Sequence, residues 1–360
     1  MSAPTPPRTD TVDAFAQRVV DATLGAIDLI SIYLGDRLGW YRSLAADGPA
    51  TSQELAVRTG THPRYAREWL EQQAVTGLLT VDNGEPPCFA LSPAGAEVLT
   101  DDRSLNFLAP LPRLLSSAVV QLPALLEAYR TGGGVGWAQY GDDARESQAD
   151  VNRPWFEQML PGALRSVAEV DSLLRTPGTA IADIGCGGGW STIALARTYP
   201  EASLHGFDID PASAELARSN AASEPAVAQR ITITAADATA LPESTFQAVF
   251  AFECMHDMPQ PVEVLAAARR SLVPGGMVIV MDEAVADEFT APGDDIERLM
   301  YGYSLVVCLP DGMSHQPSAG TGTVMRPDTL RRYAQEAGFT RMDVLPIEDF
   351  SFFRFYRLQE

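Results

Sequence analysis

The chain has 360 residues, of which 46% are hydrophobic and 20% are charged, and its formal net charge at pH 7 is −21. All 26 basic residues are arginine, because the sequence contains no lysine. This excludes a Walker-A P-loop, a pyridoxal-phosphate enzyme and a protein kinase, each of which needs a lysine in its site. The acidic balance argues against general binding to nucleic acids or anionic membranes, since both repel a negative surface.

The length predicts about two domains. The four cysteines, Cys88, Cys186, Cys254 and Cys308, show no paired spacing, which favours a reducing compartment and no structural zinc site. Residues 1–10 lack the apolar region of a signal peptide, and no apolar run approaches the ~20 residues of a membrane span. We therefore expect a soluble, cytoplasmic protein.

Apolar residues recur at helical spacing between Val12 and Leu44, which predicts helices. Little polar surface separates these residues, so we expect the helices to be buried, with a second subunit as one candidate partner. Thr51 and Glu54 have the spacing of a capping box at the start of the next helix.

A winged-helix pattern follows. A short helix to Thr59 and a second helix over Pro63–Val75 precede two short strands, Leu78–Val81 and Cys88–Leu91, around the turn Asp82-Asn83-Gly84. The would-be recognition helix carries two arginines and two glutamates, a net charge of zero. Phosphate contacts dominate affinity for DNA, so we interpret the module as structural.

The middle of the chain is predicted to be helical over Leu105–Arg130 and again over Pro154–Leu174. Between them lies the glycine-rich segment 131–136, a hinge or a loop.

From Thr179 onward, strands alternate with helices, which is typical of a parallel α/β sheet. The predicted strands are Ala180–Ile184, Ser203–Phe207, Ile231–Ala235, Ala248–Phe252 and Met277–Met281. The predicted helices are Ser191–Thr198, Ala212–Ala222 and Pro261–Leu272, and Val344–Leu358 is expected to form an antiparallel edge hairpin.

One glycine-rich turn, Asp183-Ile-Gly185-Cys-Gly187-Gly-Gly189, joins the first of these strands to its helix. Such a turn lets a ligand approach backbone amides closely. A dinucleotide fingerprint would need glycine at 190, where Trp190 stands. Asp208 ends the second strand, Asp237 follows the third, and the turn Leu272-Val-Pro-Gly-Gly276 precedes the fifth.

This ordered set resembles the class I S-adenosylmethionine-dependent methyltransferases. With the winged-helix half, the chain is similar to the small-molecule O-methyltransferases of plants and actinobacteria. The resemblance implies a Rossmann-like α/β fold with a seven-stranded sheet plus a mainly α-helical winged-helix domain. It divides the chain into residues 1–104 for dimerisation, 105–175 as a linker and cover, and 176–360 for the cofactor. A homodimer through the N-terminal domain is part of this expectation.

S-adenosylmethionine is the implied cofactor. Glycines of the turn would pass its methionine part, Asp208 would bind its ribose, and Asp237 with Ala238 would flank its adenine. The full set of expected cofactor contacts is Asp183, Gly185, Cys186, Gly187, Gly189, Asp208, Ile209, Asp237, Ala238, Phe252, Glu253 and Trp155. Glycine turns and strand-end aspartates also form turns and caps in many α/β proteins.

His256, in the segment Glu253-Cys-Met-His-Asp257, matches the histidine that acts as base in the plant-type family, with Met258 in place of that family's tryptophan. A proton-bearing acceptor benefits from such a base; alternatively, His256 packs in a loop or only orients a carboxylate acceptor. Further candidate substrate contacts are Met159, Glu283, Tyr301, Tyr303 and His315, the last three in an insertion interpreted as a substrate lid. Alternatively, His315 is a solvated loop histidine and Glu283 only caps a turn. An aromatic and methionine stripe such as Trp155 to Met159 is also typical of plain core.

The main hypothesis is a metal-independent methyltransferase that acts on a hydroxyl, or less favourably a carboxyl or nitrogen, of a small-molecule or peptide natural product. No metal ligands are expected, and the missing lysine excludes the metal-dependent catechol-type branch. The alternatives are a winged-helix transcription regulator that senses S-adenosylmethionine and a nicotinamide-dependent oxidoreductase, which Trp190 disfavours.

Overall fold

The structure, a computed structural model, describes residues 11–82 and 84–360. Residues 1–10, predicted to contain no signal peptide, and Asn83 of the predicted hairpin turn lie outside the described residues. The chain divides into two compact units, with the boundary after Ser116.

The first unit consists of helices and one hairpin. Its elements are α1 (Val12–Arg37), α2 (Trp40–Asp47), α3 (Ser52–Thr59), α4 (Pro63–Val75), β1 (Leu79–Val81), β2 (Phe89–Leu91), α5 (Pro93–Thr100) and α6 (Pro110–Val120), which crosses the boundary. The predicted winged-helix order is confirmed.

Local signals set the ends of these helices. The Thr51 side chain accepts a hydrogen bond from the Glu54 amide, while the Thr51 amide donates to Glu54 Oε2 at 2.8 Å, which is the predicted capping box. Gly60 ends α3 in the left-handed conformation. Trp40, Tyr41 and Trp69 pack against one another in the small core beneath them.

Within the single chain, the predicted burial of the first helix is wrong. Phe15, Val19, Leu24 and Ile27 are all about half exposed, and their stripe continues along α1 to Leu38. Only a few residues near the end of α1 pack into the core, because the rest of the helix extends past the short elements that follow it.

The second unit alternates helices and strands. Its helices are α7 (Leu122–Thr131), α8 (Trp137–Gln158), α9 (Leu160–Ser166), α10 (Ala168–Leu174), α11 (Trp190–Thr198), α12 (Pro211–Ala222), α13 (Pro261–Ser271), α14 (Asp295–Tyr303), α15 (Leu309–Gly312) and α16 (Pro327–Glu336). Short 3-10 turns cover Ala228–Arg230 and Ala238–Ala240, and a π-helix covers Ser304–Cys308.

One mostly parallel sheet forms the centre of this unit. Its strands are β3 (Ala180–Ile184), β4 (Ser203–Asp208), β5 (Ile231–Ala235), β6 (Phe246–Phe252), β7 (Leu272–Glu283), β8 (Arg341–Val344) and β9 (Phe353–Gln359). Their order is β5-β4-β3-β6-β7-β9-β8, with β9 antiparallel to both neighbours. The predicted seven-stranded α/β fold is confirmed. The chain order reverses between β3 and β6, and ligands bind at the carboxyl ends of strands at such a point.

Two predicted boundaries in this unit are wrong. The single helix expected over Pro154–Leu174 is three helices, and Pro154 lies inside α8 instead of opening a helix. The chain turns again at Val167, whose backbone is extended. The segment Leu272–Gly276 is part of β7 and not a turn before it, because Leu272 already pairs with Phe246. The register shifts after that pair, where Gly275 takes a left-handed conformation at φ 82°.

Among the described residues, no helix is both long and apolar enough to cross a membrane.

Candidate functional site

The glycine turn after β3 is shaped by three left-handed glycines. Gly185, Gly187 and Gly189 have φ values of 64°, 51° and 77°, a region that side chains disfavour. At Gly185 an added Cβ would lie 2.8 Å from both Cβ and Sγ of Cys254. The loop after β6 therefore packs directly on the glycine turn. Cys186, in the same turn, is buried.

Asp208, at the end of β4, is anchored beside this turn. Its Oδ2 accepts a hydrogen bond from the Gly187 amide at 2.8 Å, and its Oδ1 accepts from the Asp210 amide at 2.9 Å. Burial raises the pKa of Asp208, and these two amides oppose the rise. The carboxylate thus lies between the glycine turn and the start of α12.

The Asp183 side chain contacts helix α11. It is fully buried, and its Oδ2 accepts hydrogen bonds from Ser191 at 2.7 Å and Thr192 at 2.5 Å, both in the first turn of α11. Burial raises its pKa to about 6. These hydrogen bonds connect β3 to α11, the two elements that the glycine turn joins.

The predicted adenine residues lie at the ends of β4 and β5. Asp237 is exposed, and its Oδ1 accepts from the amide and the hydroxyl of Thr239, both at 2.7 Å, as the cap of the 3-10 turn. Ala238 is buried, while Ile209 is 65% exposed. An isoleucine left this open beside Asp208 offers an apolar surface to a flat ligand.

Glu253 follows β6 and has a strained backbone, with φ 52° for a residue that is not glycine. Its Oε2 accepts a hydrogen bond from Asn152 Nδ2 at 2.6 Å. Burial raises the pKa of Glu253 to about 7, although the hydrogen bond from Asn152 opposes the rise. Asn152 comes from α8 and was not predicted.

The apolar residues predicted near the methionine end pack in the core. Phe252 stacks on Phe250 with ring centroids 5.2 Å apart, and Trp155 packs on Phe350 at 5.8 Å. Met159 also lies against this core. These contacts fit the core interpretation of the stripe.

His256 is held between carboxylates from two strand ends. Its ring is 2% exposed; Nδ1 lies 2.7 Å from Asp282 Oδ1 and 3.2 Å from Glu283 Oε2, and Nε2 lies 3.2 Å from Asp257 Oδ1. Glu283, which was predicted as a substrate contact, lies beside the histidine. Asp257 and Asp282 were not predicted, although Asp257 stands next to His256 in the sequence.

The charges of this cluster are coupled. Burial alone would lower the pKa of His256, but Asp257, Asp282 and Glu283 outweigh it and hold that pKa well above its usual value. Burial raises the pKa of Glu283 well above normal. The pKa of Asp282 stays low against burial because His256 faces it. The charged ring of His256 and the ionised carboxylate of Asp282 therefore favour each other.

The insertion after β7 contains α14, the π-helix and α15, and His315 lies in the irregular segment that follows α15. Tyr303, at the end of α14, is partly buried, and burial raises its pKa to about 12, with further contributions from Cys308 and Glu253. Tyr301 is partly exposed near Arg326, and His315 is exposed beside Ser314. Tyr303 is therefore close enough to Glu253 for that carboxylate to contribute to the raised pKa of the tyrosine.

Cys308, which ends the π-helix, joins the histidine cluster. The ligand atoms of His256, Asp257 and Cys308 lie within 4.8 Å of one another, as do those of His256, Asp282 and Glu283. These are the described residues that could surround a cation. The His256–Asp282 distance of 2.7 Å is that of a charge-assisted hydrogen bond. Among the described residues, Asp257 Oδ1, Asp282 Oδ2 and Glu283 Oε2 are buried without a hydrogen-bond partner.

Family models match both parts of the chain. Residues 181–276 match a methyltransferase domain, and residues 25–101 match an Rv2258c-like winged HTH domain. The chain carries a class I methyltransferase domain. The predicted combination of this domain with an N-terminal winged helix is confirmed.

Relatives of known name agree. The chain is 32% identical over 148 residues to the 27-O-demethylrifamycin SV methyltransferase of Amycolatopsis mediterranei (strain S699), covering 40% of this chain and 54% of the relative. The chain thus spans about half the length of that relative. It is 25% identical to the 3-amino-4-hydroxybenzoate 4-O-methyltransferase of Streptomyces cremeus, covering 93% of this chain and 89% of the relative.

Solved structures show the same fold over the full length. The mitomycin 7-O-methyltransferase MmcR superposes with a TM-score of 0.73 at 20% identity, covering 97% of this chain and 98% of that chain. Human N-acetylserotonin methyltransferase, solved in complex with S-adenosylmethionine, superposes with a TM-score of 0.66. The predicted enzyme class and its cofactor, S-adenosylmethionine, are confirmed at the level of the methyltransferase domain.

Proposed function

We propose that the chain transfers the methyl group of S-adenosylmethionine to a hydroxyl of a small-molecule or peptide natural product. The observation that carries this proposal is the packing of the His256 loop on the glycine turn, where Cys254 leaves no room for a side chain at Gly185. The histidine loop and the proposed methionine site are thereby neighbours. The relatives named as O-methyltransferases support a hydroxyl acceptor.

The proposed cofactor contacts follow the geometry described above. Asp208 would accept hydrogen bonds from both ribose hydroxyls, with Ile209 and Asp237 on the adenine side and the Gly185–Gly189 turn along the methionine. Glu253, which Asn152 orients, would face the α-amino group of the methionine. Bound S-adenosylmethionine supplies an electrophilic methyl group on a sulfonium.

His256 is the proposed base. Asp282 holds Nδ1, so a neutral ring would keep its proton there and leave the Nε2 lone pair free to accept another. In the unliganded site the carboxylates favour the charged ring. A sulfonium bound nearby would lower the pKa of His256, because like charges disfavour each other. Cofactor binding would therefore favour the neutral ring of His256, which is the form that can accept a proton.

The test uses S-adenosylmethionine with a tritiated methyl group and a panel of phenols that includes 3-amino-4-hydroxybenzoate. We expect methyl transfer by the wild type and a loss of roughly 10² to 10⁴ in turnover in His256→Ala. Affinity for S-adenosylhomocysteine should change little. Thermal stabilisation by a nicotinamide dinucleotide, with none by S-adenosylhomocysteine, would contradict the proposal.

Metal independence is part of the proposal. Dialysis against EDTA should leave the rate of methyl transfer unchanged, because His256 Nδ1 is already hydrogen-bonded to Asp282 at 2.7 Å. Loss of activity that Mg²⁺, Mn²⁺ or Zn²⁺ restores would show that His256 holds a cation, either with Asp257 and Cys308 or with Asp282 and Glu283.

The winged-helix unit is proposed to serve dimerisation and not DNA binding. Both arginines of α4 are paired within the helix, Arg64 with Glu68 and Arg67 with Glu71. Few positive charges are therefore left for phosphates, and the apolar stripe of α1 offers a surface for a second copy. A gel shift at low salt that shows tight operator binding would favour the regulator instead.

The four free cysteines support a cytoplasmic location.

A further inference from the structure

The Nε2 atom of His256 and the Oδ1 atom of Asp257 lie 3.2 Å apart without forming a hydrogen bond. Asp257 Oδ1 is buried and has no hydrogen-bond partner among the described residues. Two polar atoms that are this close, but not directed at each other, can both bind a third atom placed between them. Two ligands about 2.1 Å from a tetrahedral zinc ion are roughly 3.4 Å apart, which is close to the observed separation.

Cys308 supplies a third ligand atom near the same point. The ligand atoms of His256, Asp257 and Cys308 all lie within 4.8 Å of one another. Cys308 ends the π-helix Ser304–Cys308, a type of helix that is frequent at functional sites. Imidazole, carboxylate and thiolate are the ligands of Zn²⁺ in proteins, and the thiolate disfavours Mg²⁺ and Ca²⁺. The set is therefore that of a zinc site with three protein ligands.

A buried hydroxyl lies beside this set. Thr323 is 2% exposed, and its Oγ1 lies next to the Cys308 thiol. In the described part of the chain this oxygen makes no hydrogen bond of ordinary geometry. Buried polar atoms normally have a partner. Thr323 Oγ1 and Asp257 Oδ1 thus both have capacity for a polar ligand, such as an ion that carries a water molecule.

The opposite side of the histidine ring offers a poorer site. Nδ1 lies 2.7 Å from Asp282 Oδ1, the distance of a charge-assisted hydrogen bond. Asp282 and Glu283 are both buried, whereas the Asp257 side chain is 31% exposed. An ion can therefore approach Nε2 along the Asp257 carboxylate without breaking the pair at Nδ1.

The insertion after β7 holds the ligands in place. The Gly322 amide donates to the His256 carbonyl oxygen at 3.1 Å. At Gly312, which ends α15, an added Cβ would lie 3.0 Å from the Asp257 carbonyl oxygen. The segment that carries Cys308 therefore packs against the backbone of the other two ligands, and such support favours metal binding.

We propose that His256 Nε2, Asp257 Oδ1 and Cys308 Sγ form an inhibitory zinc site. Zn²⁺ binds these three atoms with water in the fourth position, and the Cys308 thiol releases its proton to solvent. The ion then occupies the lone pair of Nε2, which a base needs to accept a proton. Methyl transfer requires no metal but stops when zinc binds. The inhibition rests on the proposed function, whereas the binding does not.

Binding is tested on the full chain after dialysis against EDTA, with Co²⁺ and Zn²⁺ alone as probes. We expect one Co²⁺ per chain with a thiolate charge-transfer band, which Zn²⁺ displaces. Cys308→Ser should lose the band and weaken zinc binding at least about tenfold. Asp257→Asn should weaken binding but keep the band. Cys88→Ser is the matched control, because this free cysteine lies in the winged-helix unit, and it should bind like the wild type.

Each variant must still bind S-adenosylhomocysteine, which shows that it is folded. A wild type without the thiolate band, or a band that persists in Cys308→Ser and disappears in Cys88→Ser, would overturn the site.

Inhibition is measured with the phenol that the wild type methylates fastest. Zn²⁺ should inhibit the wild type, EDTA should restore the rate, and Mg²⁺ at the same concentration should have no effect. In Cys308→Ser the zinc concentration for half-inhibition, relative to the variant's own zinc-free rate, should rise at least about tenfold. Zinc that binds without slowing the wild type, or that inhibits both proteins equally, would overturn the proposed inhibition. Failure of the wild type to bind S-adenosylhomocysteine would instead contradict the proposed function.

Discussion

His256 Nδ1 lies 2.7 Å from Asp282 Oδ1, although 26 positions separate the two residues in the sequence. The contact forms because β6 and β7 are parallel neighbours, with Ala251 opposite Val280 and Phe252 opposite Met281. Their carboxyl ends therefore meet at one edge of the sheet. The pair fixes which nitrogen of the ring keeps its proton.

Asp282→Asn should lower kcat and move its acid limb to lower pH. The amide leaves the ring without a negative partner on Nδ1, so the imidazolium is less favoured and the pKa of His256 falls. In the wild type, activity should rise with pH as the ring loses its proton, because the charged ring cannot accept another. The pH profile of kcat measures both effects. A midpoint that stays in place or moves upward in Asp282→Asn would contradict the assigned pair.

Gly185→Ala should weaken S-adenosylhomocysteine binding by at least about tenfold and lower the melting temperature. The new Cβ would lie 2.8 Å from Cys254. Alanine would also have to adopt a left-handed backbone conformation, which alone costs about 1–2 kcal/mol. Gly187→Ala is the matched control: its φ is also positive, but no heavy atom lies within 4 Å of the added Cβ. Calorimetric titration and thermal unfolding should show the larger loss for Gly185→Ala. Equal losses would mean that packing against Cys254 does not matter.

These residues show what sequence reasoning reaches in this fold. The glycine turn and Asp208 are predictable because their roles follow from a local motif and its strand. The contacts of Asn152 with Glu253, and of Cys308 with His256, join elements whose packing no local pattern specifies. Asp282 could have been suspected from two adjacent acids at a strand end, but not its pairing with His256.

The helices show the same limit. Capping residues predicted the start of α3 correctly, because Thr51 and Glu54 lie three positions apart and act on their own turn. Periodicity predicted that α1 is helical and apolar, but it does not reveal what covers the apolar face. Pro154 gave a wrong boundary, since a proline normally opens a helix and here lies inside one.

Asp208→Ala should reduce affinity for S-adenosylhomocysteine at least about 100-fold. The ribose would lose a charged acceptor, and each hydrogen bond to a charged group contributes about 1.5–3 kcal/mol. Asp237→Ala should reduce the affinity less, because one oxygen of that exposed carboxylate already accepts hydrogen bonds from the amide and hydroxyl of Thr239. Calorimetric titration compares the two proteins. A larger loss for Asp237→Ala would show that the ribose and adenine positions have been exchanged.

The exposed face of α1 should mediate a homodimer. Ile27 and Ile30 are each about half exposed on this face, and a monomer would leave their apolar surface in water at a cost of about 25 cal/mol per Å². Ile27→Glu/Ile30→Glu should therefore give a monomer where the wild type is a dimer, as measured by light scattering over a range of concentrations. Val57→Glu is the control, because Val57 is 74% exposed on α3, and it should stay dimeric. A monomeric wild type, or a double variant that remains a dimer, would show that the stripe has another partner.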